Sequence, residues 1–252
     1  MSTFAPTTPA NRLIVSLDPK PNQSFEPVSL EKQIETFARS LEGMGVCIKL
    51  NSFLRIFGFG LIRQFREEYG LEVFADLKLY DTYPTMEHDA HLLALTKPKF
   101  LTVHTLSSVP SMRRVQELLP DTNVLGVTIL TEQDSDYTQA TFMCSLQDGV
   151  LRLAHRADLA ELDGIIAAPA EIPLLRQAYG DLSIVTPNVR PAWAKVQHDN
   201  QNQARAMTPH DAIVAGAERI IVGRPITQAK DPRAAVERIL EEIEEATKLL
   251  VC

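Results

Sequence analysis

The chain has 252 residues, of which 45% are hydrophobic and 23% are charged. This composition is ordinary for a globular protein and excludes a disordered, fibrous or membrane-embedded chain. With 25 Lys and Arg residues against 32 Asp and Glu residues, the formal net charge is −7, which argues against nucleic acid or an anionic membrane as a partner. Any phosphate group that the protein binds must be held by a local site.

The cysteines and the N-terminal segment bear on the compartment. Cys47, Cys144 and Cys252 are odd in number and widely spaced, which predicts neither a disulfide framework nor a zinc site. Residues 1–11 lack the apolar core of a signal peptide. No apolar run approaches the roughly 18 residues that cross a membrane. We therefore expect a cytoplasmic protein.

Short apolar runs alternate with segments of helical period along the whole chain. Near-continuous apolar runs are typical of strands that are covered on both faces, as in parallel sheets. The predicted strands are 12–18, 47–51, 73–79, 100–105, 124–130, 164–168, 183–188 and 219–224. Helix starts are predicted at Ser29, at Thr208 followed by Pro, and at Asp231 followed by Pro.

Repeated strand and helix units over about 250 residues predict a single (β/α)8 barrel. An open doubly wound sheet is the structural alternative, but the GxGxxG motif that usually follows its first strand is missing. We expect residues 1–11 to form a tail and residues 12–252 to form one catalytic barrel domain.

The third predicted strand carries the most informative charges. Asp76 and Lys78 are two residues apart, so they share one face of the strand, and the apolar residues between them face the helices. Buried charges are costly unless they are paired. The predicted charged network has four members: Lys49, Asp76, Lys78 and Asp81. It is either a proton donor held among carboxylates in a water-poor pocket or a structural ion-pair cluster.

The end of the eighth strand predicts a phosphate site. Gly223 and Arg224 end that strand and precede a predicted helix start, and loops after strands seven and eight commonly bind phosphate in such barrels. Glycine lets a ligand approach the backbone, helix N–H groups point at the anion, and arginine supplies a fork of donors. The alternative is that Arg224 makes a surface ion pair. Residues 190–205 are polar and predicted to form a functional or mobile loop.

One segment reads Asp76-Leu-Lys78-Leu-Tyr-Asp81-Thr82-Tyr-Pro-Thr85. This segment matches the motif Asp-x-Lys-x-x-Asp-x-x-x-Thr of the orotidine 5′-phosphate decarboxylase family. The chain resembles that family from about residue 13 to residue 239. Further matches, in the family's order, are Ser-Leu-Asp18, Ile-Lys49, Val-His104, Val-Thr-Ile-Leu-Thr131, Thr-Pro-Asn-Val-Arg190-Pro, Gln203-Ala-Arg205 and Val-Gly-Arg224-Pro.

The resemblance implies a homodimeric barrel that decarboxylates orotidine 5′-monophosphate to uridine 5′-monophosphate, with no cofactor and no metal. Lys78 would protonate ring carbon 6, and Asp76 would destabilise the substrate carboxylate by like-charge proximity. Lys49 and Asp81 would complete the charged network. Asp81 and Thr82 would reach in from the neighbouring subunit, so that the active sites are shared.

The resemblance also implies a set of substrate-binding residues. Asp18 and Lys49 would bind ribose hydroxyls, and Thr131 would contact the pyrimidine. Thr82 and Thr85 of the motif are counted with this set. The 5′-phosphate would be held by Arg190, Gln203, Gly223 and Arg224. A loop at about 189–206 would close over the phosphate as a lid.

Four positions depart from the family pattern: Asn51, Thr82, Glu132 and Asn188. They change the expected polarity of the pocket but leave the charged network complete. Two alternatives stay open: a magnesium-dependent sugar-phosphate decarboxylase or hexulose-phosphate synthase that shares the Asp-x-Lys-x-x-Asp motif, or a non-catalytic nucleotide-binding barrel. His104 is predicted to be a core or supporting histidine rather than a base.

Overall fold

The computed structural model describes residues 6–19, 26–194 and 206–250. Eight parallel strands close into a barrel in chain order. They are β1 (Leu13–Leu17), β2 (Cys47–Leu50), β3 (Glu72–Leu79), β4 (Phe100–His104), β5 (Asn123–Val127), β6 (Gly164–Ile166), β7 (Ser183–Thr186) and β8 (Arg219–Val222). Because β1 pairs with β8 as well as with β2, the sheet has no edge. The predicted (β/α)8 fold is confirmed and the open sheet is excluded.

Helices follow the strands and form the outer layer. In the described ranges they are α1 (Pro9–Arg12), α2 (Pro27–Leu41), α3 (Ser52–Phe57), α4 (Gly60–Tyr69), α5 (Tyr83–Ala94), α6 (Val109–Leu118), α7 (Ser135–Phe142), α8 (Leu146–Leu159), α9 (Ile172–Ala178), α10 (Pro209–Val214), α11 (Arg224–Thr227) and α12 (Pro232–Leu249). Among the described residues, no helix combines the length and the apolar character needed to span a membrane.

Two of the three predicted helix starts are confirmed by their caps. The side-chain oxygens of Thr208 and Asp231 each accept a hydrogen bond from the backbone N–H three residues later, which satisfies one of the unpaired donors at a helix start. The third prediction, Ser29, is wrong by three residues, because Glu26 is the residue that precedes the helix. Helix α2 begins at Pro27, because proline has the backbone angle of a first helical residue and no N–H to leave unpaired.

The interior of the barrel is filled at the amino-terminal ends of the strands. Seven inward-facing residues pack there as a buried apolar plug: Ile14, Cys47, Phe74, Phe100, Leu125, Val185 and Ile221. The rings of Phe74 and Phe100 meet edge to face, with centroids 5.7 Å apart. Since side chains alternate along a strand, the next inward residues lie one layer higher, towards the carboxyl ends. Above the plug, a cavity opens at the carboxyl ends of the strands.

The residues before β1 contact the opposite end of the barrel. Helix α1 covers Pro9–Arg12, within and next to the predicted tail. The Arg219 guanidinium donates to the carbonyl of Asn11 at 3.0 Å, and Arg12 donates to the carbonyl of Glu218 at 3.2 Å. These bonds tie α1 to the start of β8. The boundary between tail and barrel stays a prediction.

We expect Gly164→Ala to lower the free energy of unfolding by about 3 kcal/mol. A Cβ added at Gly164 would lie 2.5 Å from the carbonyl oxygen of Ser183 on the paired strand β7, and backbone of a closed barrel cannot move away freely. Urea denaturation measures the loss. Gly180→Ala is the control, because nothing lies within 4 Å of its added Cβ. Equal stability of the two variants would contradict the prediction.

Candidate active site

Three charged side chains meet inside the barrel, directly above the apolar plug. The Lys49 ammonium lies 2.9 Å from Asp76 Oδ2, and the Lys78 ammonium lies 2.8 Å from Asp76 Oδ1. The exposed fractions of the side chains are 12% for Lys49, 9% for Asp76 and 33% for Lys78. We call Lys49, Asp76 and Lys78 the charged triad. Each oxygen of the central carboxylate has its own ammonium partner, which is the pairing that burial of a charge requires.

The alternation of side chains along β2 and β3 explains why the triad lies inside the barrel. Lys49 comes two residues after Cys47 on β2, and Asp76 comes two residues after Phe74 on β3. Cys47 and Phe74 belong to the inward-facing plug, so Lys49 and Asp76 also point inward. The register between β3 and β4 shifts between Ala75 and Leu79. Such a bulge re-aims a side chain next to a site.

The two lysines hold Asp76 in its charged form. Burial alone would raise the pKa of the Asp76 carboxyl, but the ammonium groups of Lys49 and Lys78 and their hydrogen bonds outweigh it. They lower the pKa of Asp76 to about 2. Asp76 is therefore ionised throughout the neutral range, and the triad carries one net positive charge.

A cavity of about 290 Å³ opens above the triad. Its polar lining consists of the triad and of two residues that follow β5, Thr131 and Glu132. Much of the remaining wall is apolar and includes Ile129, Ile166, Ala167 and Pro187. Apolar walls reduce the local dielectric constant, so the fixed charges at the floor act more strongly on a ligand than they would in water.

Three of the other predicted residues lie at two neighbouring strand ends. Asp18 follows β1 and accepts a hydrogen bond from the Ser16 hydroxyl at 2.8 Å. Gly223 follows β8 and lies beside Ser16, since a Cβ added at Gly223 would be 3.4 Å from the Ser16 Cβ. Arg224 begins α11 and is exposed. The carboxyl ends of β1 and β8 are adjacent because these strands pair.

The two ends of the predicted lid are joined at its base. Val189 and Met207 form a parallel bridge, and the Arg190 N–H donates to the Met207 carbonyl at 2.8 Å. Trp193 donates from its indole N–H to Glu242 on α12 at 2.9 Å. Most of the predicted lid, including Gln203, lies outside the described residues.

The structure does not bring Asp81 to the triad within one chain. Asp81 is exposed, and its carboxylate accepts the backbone N–H of Thr82 at 2.6 Å. The hydroxyls of Thr82 and Thr85 lie 3.2 Å apart at the start of α5. Within the described part of the chain, no ion pair joins Asp81 to Lys49 or Lys78. In a single chain, these three motif residues form an exposed group beside the charged triad.

Two contacts of the triad were not predicted from the sequence. The Thr102 hydroxyl on β4 donates to Asp76 Oδ1 at 2.9 Å, and the Asn51 side-chain amide donates to the Asp76 carbonyl at 2.7 Å. Alternation offered a signal for Thr102, which lies two residues after the plug residue Phe100. No local sequence pattern predicts the hydrogen bond from Asn51 to the Asp76 carbonyl.

His104 lies at the end of β4 and is half-buried. Burial, and secondarily the charge of Lys78, lowers the pKa of its imidazole. Its Nδ1 accepts the N–H of Leu106 at 3.3 Å, and its ring centroid lies 6.0 Å from that of Tyr80. A neutral ring with a backbone partner agrees with the expected supporting role.

Comparison with known proteins identifies the family. The family model described as "Orotidine 5'-phosphate decarboxylase / HUMPS family" matches residues 11–239, which is nearly the whole barrel. The chain belongs to this family. Its charged triad and the motif that runs from Asp76 to Thr85 both fall inside the matched range.

Named relatives support this membership. A protein of Caulobacter sp. (strain K31) called orotidine 5′-phosphate decarboxylase is 38% identical over 188 residues, covering 74% of this chain and 80% of the relative. One from Methylobacterium sp. (strain 4-46) with the same name is 35% identical over 246 residues, covering 96% and 99%. The crystal structure of orotidine 5′-phosphate decarboxylase from Lactobacillus acidophilus superposes with a TM-score of 0.74 at 29% identity, covering 92% of this chain and 99% of that one.

Three of the four positions that were expected to depart from the family pattern make identifiable contacts or have unusual backbone angles. Asn51 holds the backbone carbonyl of Asp76, as described above. Glu132 adds a carboxylate to the lining of the cavity. Asn188 has a φ of 60°, in the left-handed region that asparagine tolerates better than most residues, so it serves where glycine is frequent. Thr82 lies outside the cavity lining in one chain.

We expect Asp76→Asn to lower the free energy of unfolding by about 2 to 4 kcal/mol at pH 7, because two half-buried ammonium groups lose the charge between them. A carboxyl group whose pKa is lowered on folding stabilises the protein above its unfolded pKa of about 3.9. This contribution is lost only as the pH falls through about 2, so a measurement at pH 7 records all of it.

Lys78→Met is the matched control for that measurement. It leaves the neutral Lys49–Asp76 pair, so we expect it to cost less than about 1 kcal/mol. Chemical denaturation of both variants and wild type gives the comparison. A loss as large for Lys78→Met as for Asp76→Asn would show that net charge in the triad does not govern stability.

Proposed function

We propose that this protein decarboxylates orotidine 5′-monophosphate to uridine 5′-monophosphate and carbon dioxide. The observation that carries the proposal is the Asp76 carboxylate held between two ammonium groups at the floor of a largely apolar cavity, in a chain of this family. Fixed charges of both signs in a water-poor pocket suit a reaction that removes one carboxylate and creates a carbanion.

Lys78 is the proposed proton donor. When the bond between ring carbon 6 and the carboxyl group breaks, the electron pair stays on carbon 6 in an orbital that lies in the ring plane and is not delocalised. A nearby cation must therefore stabilise it. The Lys78 ammonium, anchored 2.8 Å from Asp76, serves in this role and then transfers its proton to carbon 6. Solvent restores the proton after the product leaves.

Asp76 is proposed to lie against the substrate carboxylate. Two like charges at close range raise the energy of the bound substrate, and that repulsion ends when carbon dioxide leaves. Asp76 must stay charged for this effect. Its pKa of about 2, which the two lysines produce, keeps it ionised at neutral pH.

Ribose and phosphate groups are proposed to supply the binding energy. Asp18 and Lys49 would bind ribose hydroxyls, and Thr131 on the cavity wall would contact the pyrimidine. The proposed phosphate-binding residues are Arg190, Gln203, Gly223 and Arg224. Since the phosphate is remote from carbon 6, its binding energy can orient the substrate and drive closure of the segment at about 189–206.

A homodimer with shared active sites completes the proposal. Asp81 and Thr82 are exposed in one chain, and Asp81 makes no ion pair with the described triad. Both residues are therefore available to enter a partner's cavity. Asp81 of the partner would balance the single positive charge of the triad. We also propose a cytoplasmic location, in keeping with Cys47 and Cys144, which are free thiols.

We expect purified protein to consume orotidine 5′-monophosphate with excess chelator present. The loss of substrate absorbance measures this reaction. Lys78→Ala should lower kcat by at least about 1,000-fold, since it removes both the cation and the proton. Lys97→Ala is the control. Lys97 forms an exposed ion pair with Asp121, so its loss should leave kcat within about 2-fold of wild type.

Other outcomes distinguish the alternatives. Activity that chelator abolishes would favour a metal-dependent sugar-phosphate enzyme of the same family. Tight binding of uridine 5′-monophosphate, with wild type no faster than Lys78→Ala, would identify a non-catalytic nucleotide-binding barrel. The first result rejects the metal-free mechanism, and the second rejects the proposed function.

We expect a mixture of two inactive variants, Lys78→Ala and Asp81→Asn, to regain about a quarter of the wild-type activity. In a two-fold symmetric dimer, half of the randomly mixed dimers contain both variants. Each of these has one site with an intact Lys78 and an intact partner Asp81. The variants are unfolded together, refolded and assayed. No recovery, with mixed dimers verified by mass spectrometry, would place Asp81 in its own subunit's site.

A further inference from the structure

Thr102 on β4 contacts both Asp76 and Lys78 on the neighbouring strand β3. Its side chain is completely buried on β4. The hydroxyl donates to Asp76 Oδ1 at 2.9 Å and accepts the backbone N–H of Lys78 at 2.9 Å. A hydroxyl both donates and accepts, so this one side chain binds the carboxylate and the backbone of two triad members at once.

The backbone at Lys78 needs such a partner. Its φ is 51°, in the left-handed region that a residue with a long side chain seldom adopts. The ladder between β3 and β4 is interrupted there, since Ala75 pairs with Leu101 and Leu79 pairs with Val103. Between these two pairs, the β3 chain advances by four residues while the β4 chain advances by two. The Lys78 N–H is bound by a side chain in place of a strand carbonyl, and strained backbone persists only where its surroundings restrain it.

The same hydroxyl restricts the carboxylate. Asp76 Oδ1 accepts from Thr102 and from the Lys78 ammonium, and Oδ2 accepts from the Lys49 ammonium. Lysine ammonium groups are compact charges on flexible stems, so they attract a carboxylate without fixing its plane. The short Thr102 side chain on a barrel strand is rigid in comparison, because a β-branched residue has few rotamers.

We propose that Thr102 is a positioning residue for decarboxylation, whose hydroxyl fixes the Asp76 carboxylate and the left-handed backbone of Lys78 in one arrangement. The inference rests on the proposed function and deepens it. Thr102 acts through Asp76 and Lys78 and not by contact with substrate. Its effect therefore falls on the chemical step, while the ribose and phosphate groups bind through other residues.

The variant Thr102→Val tests this, because valine keeps the shape and removes the hydroxyl. We expect kcat for orotidine 5′-monophosphate to fall about 10- to 100-fold, with KM changed by less than about 3-fold. The dissociation constant of uridine 5′-monophosphate, which has no carboxylate, should stay within about 3-fold. Thr102→Ser restores the hydroxyl and should recover kcat to within about 3-fold of wild type.

Thr105→Val is the matched control for lost stability. Thr105 is equally buried, directly follows β4, and its hydroxyl donates to the Val127 carbonyl at 2.7 Å. The Thr105→Val substitution makes the same chemical change as Thr102→Val. It removes one buried hydrogen bond at a residue that does not contact the triad. We expect Tm to fall by a similar amount in both valine variants, whereas kcat of Thr105→Val stays within about 2-fold of wild type.

A second pair keeps the test decisive if Thr102→Val does not fold. Thr102→Ala and Thr102→Ser differ by one oxygen atom, and only the alanine variant should lose kcat. Unchanged kcat without the hydroxyl, or equal loss in the Thr105 control, overturns the inference while leaving the proposed function intact. Absence of turnover in wild type overturns the proposed function, and the inference falls with it.

Discussion

The ion pairs that Asp76 makes with Lys49 and Lys78 are the constraint around which the site is built. A buried carboxylate is tolerated only if its charge is balanced, and here each oxygen faces an ammonium within 2.9 Å. The pairing sets the pKa of Asp76 at about 2 and leaves one net positive charge in the described triad. In the proposed homodimer, the partner's Asp81 would balance that charge, while Asp76 would repel a substrate carboxylate at close range.

The barrel makes this arrangement possible by separating its interior into layers. Apolar side chains close the amino-terminal half and exclude water from beneath the triad. Apolar residues also form much of the cavity wall above it. Charges between two apolar layers interact strongly and have little freedom to reorient, which is the condition for electrostatic stabilisation without reorganisation during a reaction. The interrupted ladder at Lys78 and its partner Thr102 restrain the backbone of the residue that is proposed to deliver the proton.

Local pattern was sufficient for the fold and for part of the site. Apolar runs located all eight strands, and their alternation placed Asp76 and Lys78 on one face, as found. The same alternation applied to β4 would have found Thr102. It could not find the left-handed backbone of Lys78 or the bond from Asn51 to the Asp76 carbonyl. Those depend on a register shift between neighbouring strands, which sequence-local rules do not encode.

The sequence by itself determined that Asp76 and Lys78 share one face of their strand, because side chains alternate along each strand. Only the tertiary structure decided which inward residues touch. Closure of the barrel brought Lys49 to Asp76 and assembled an apolar wall from residues as distant as Ile129 and Pro187. It also left Asp81 outside the triad of its own chain, although Asp81 is only three residues from Lys78 in the motif. The physical reason is that distances across a barrel follow from strand pairing and register, which involve the whole chain.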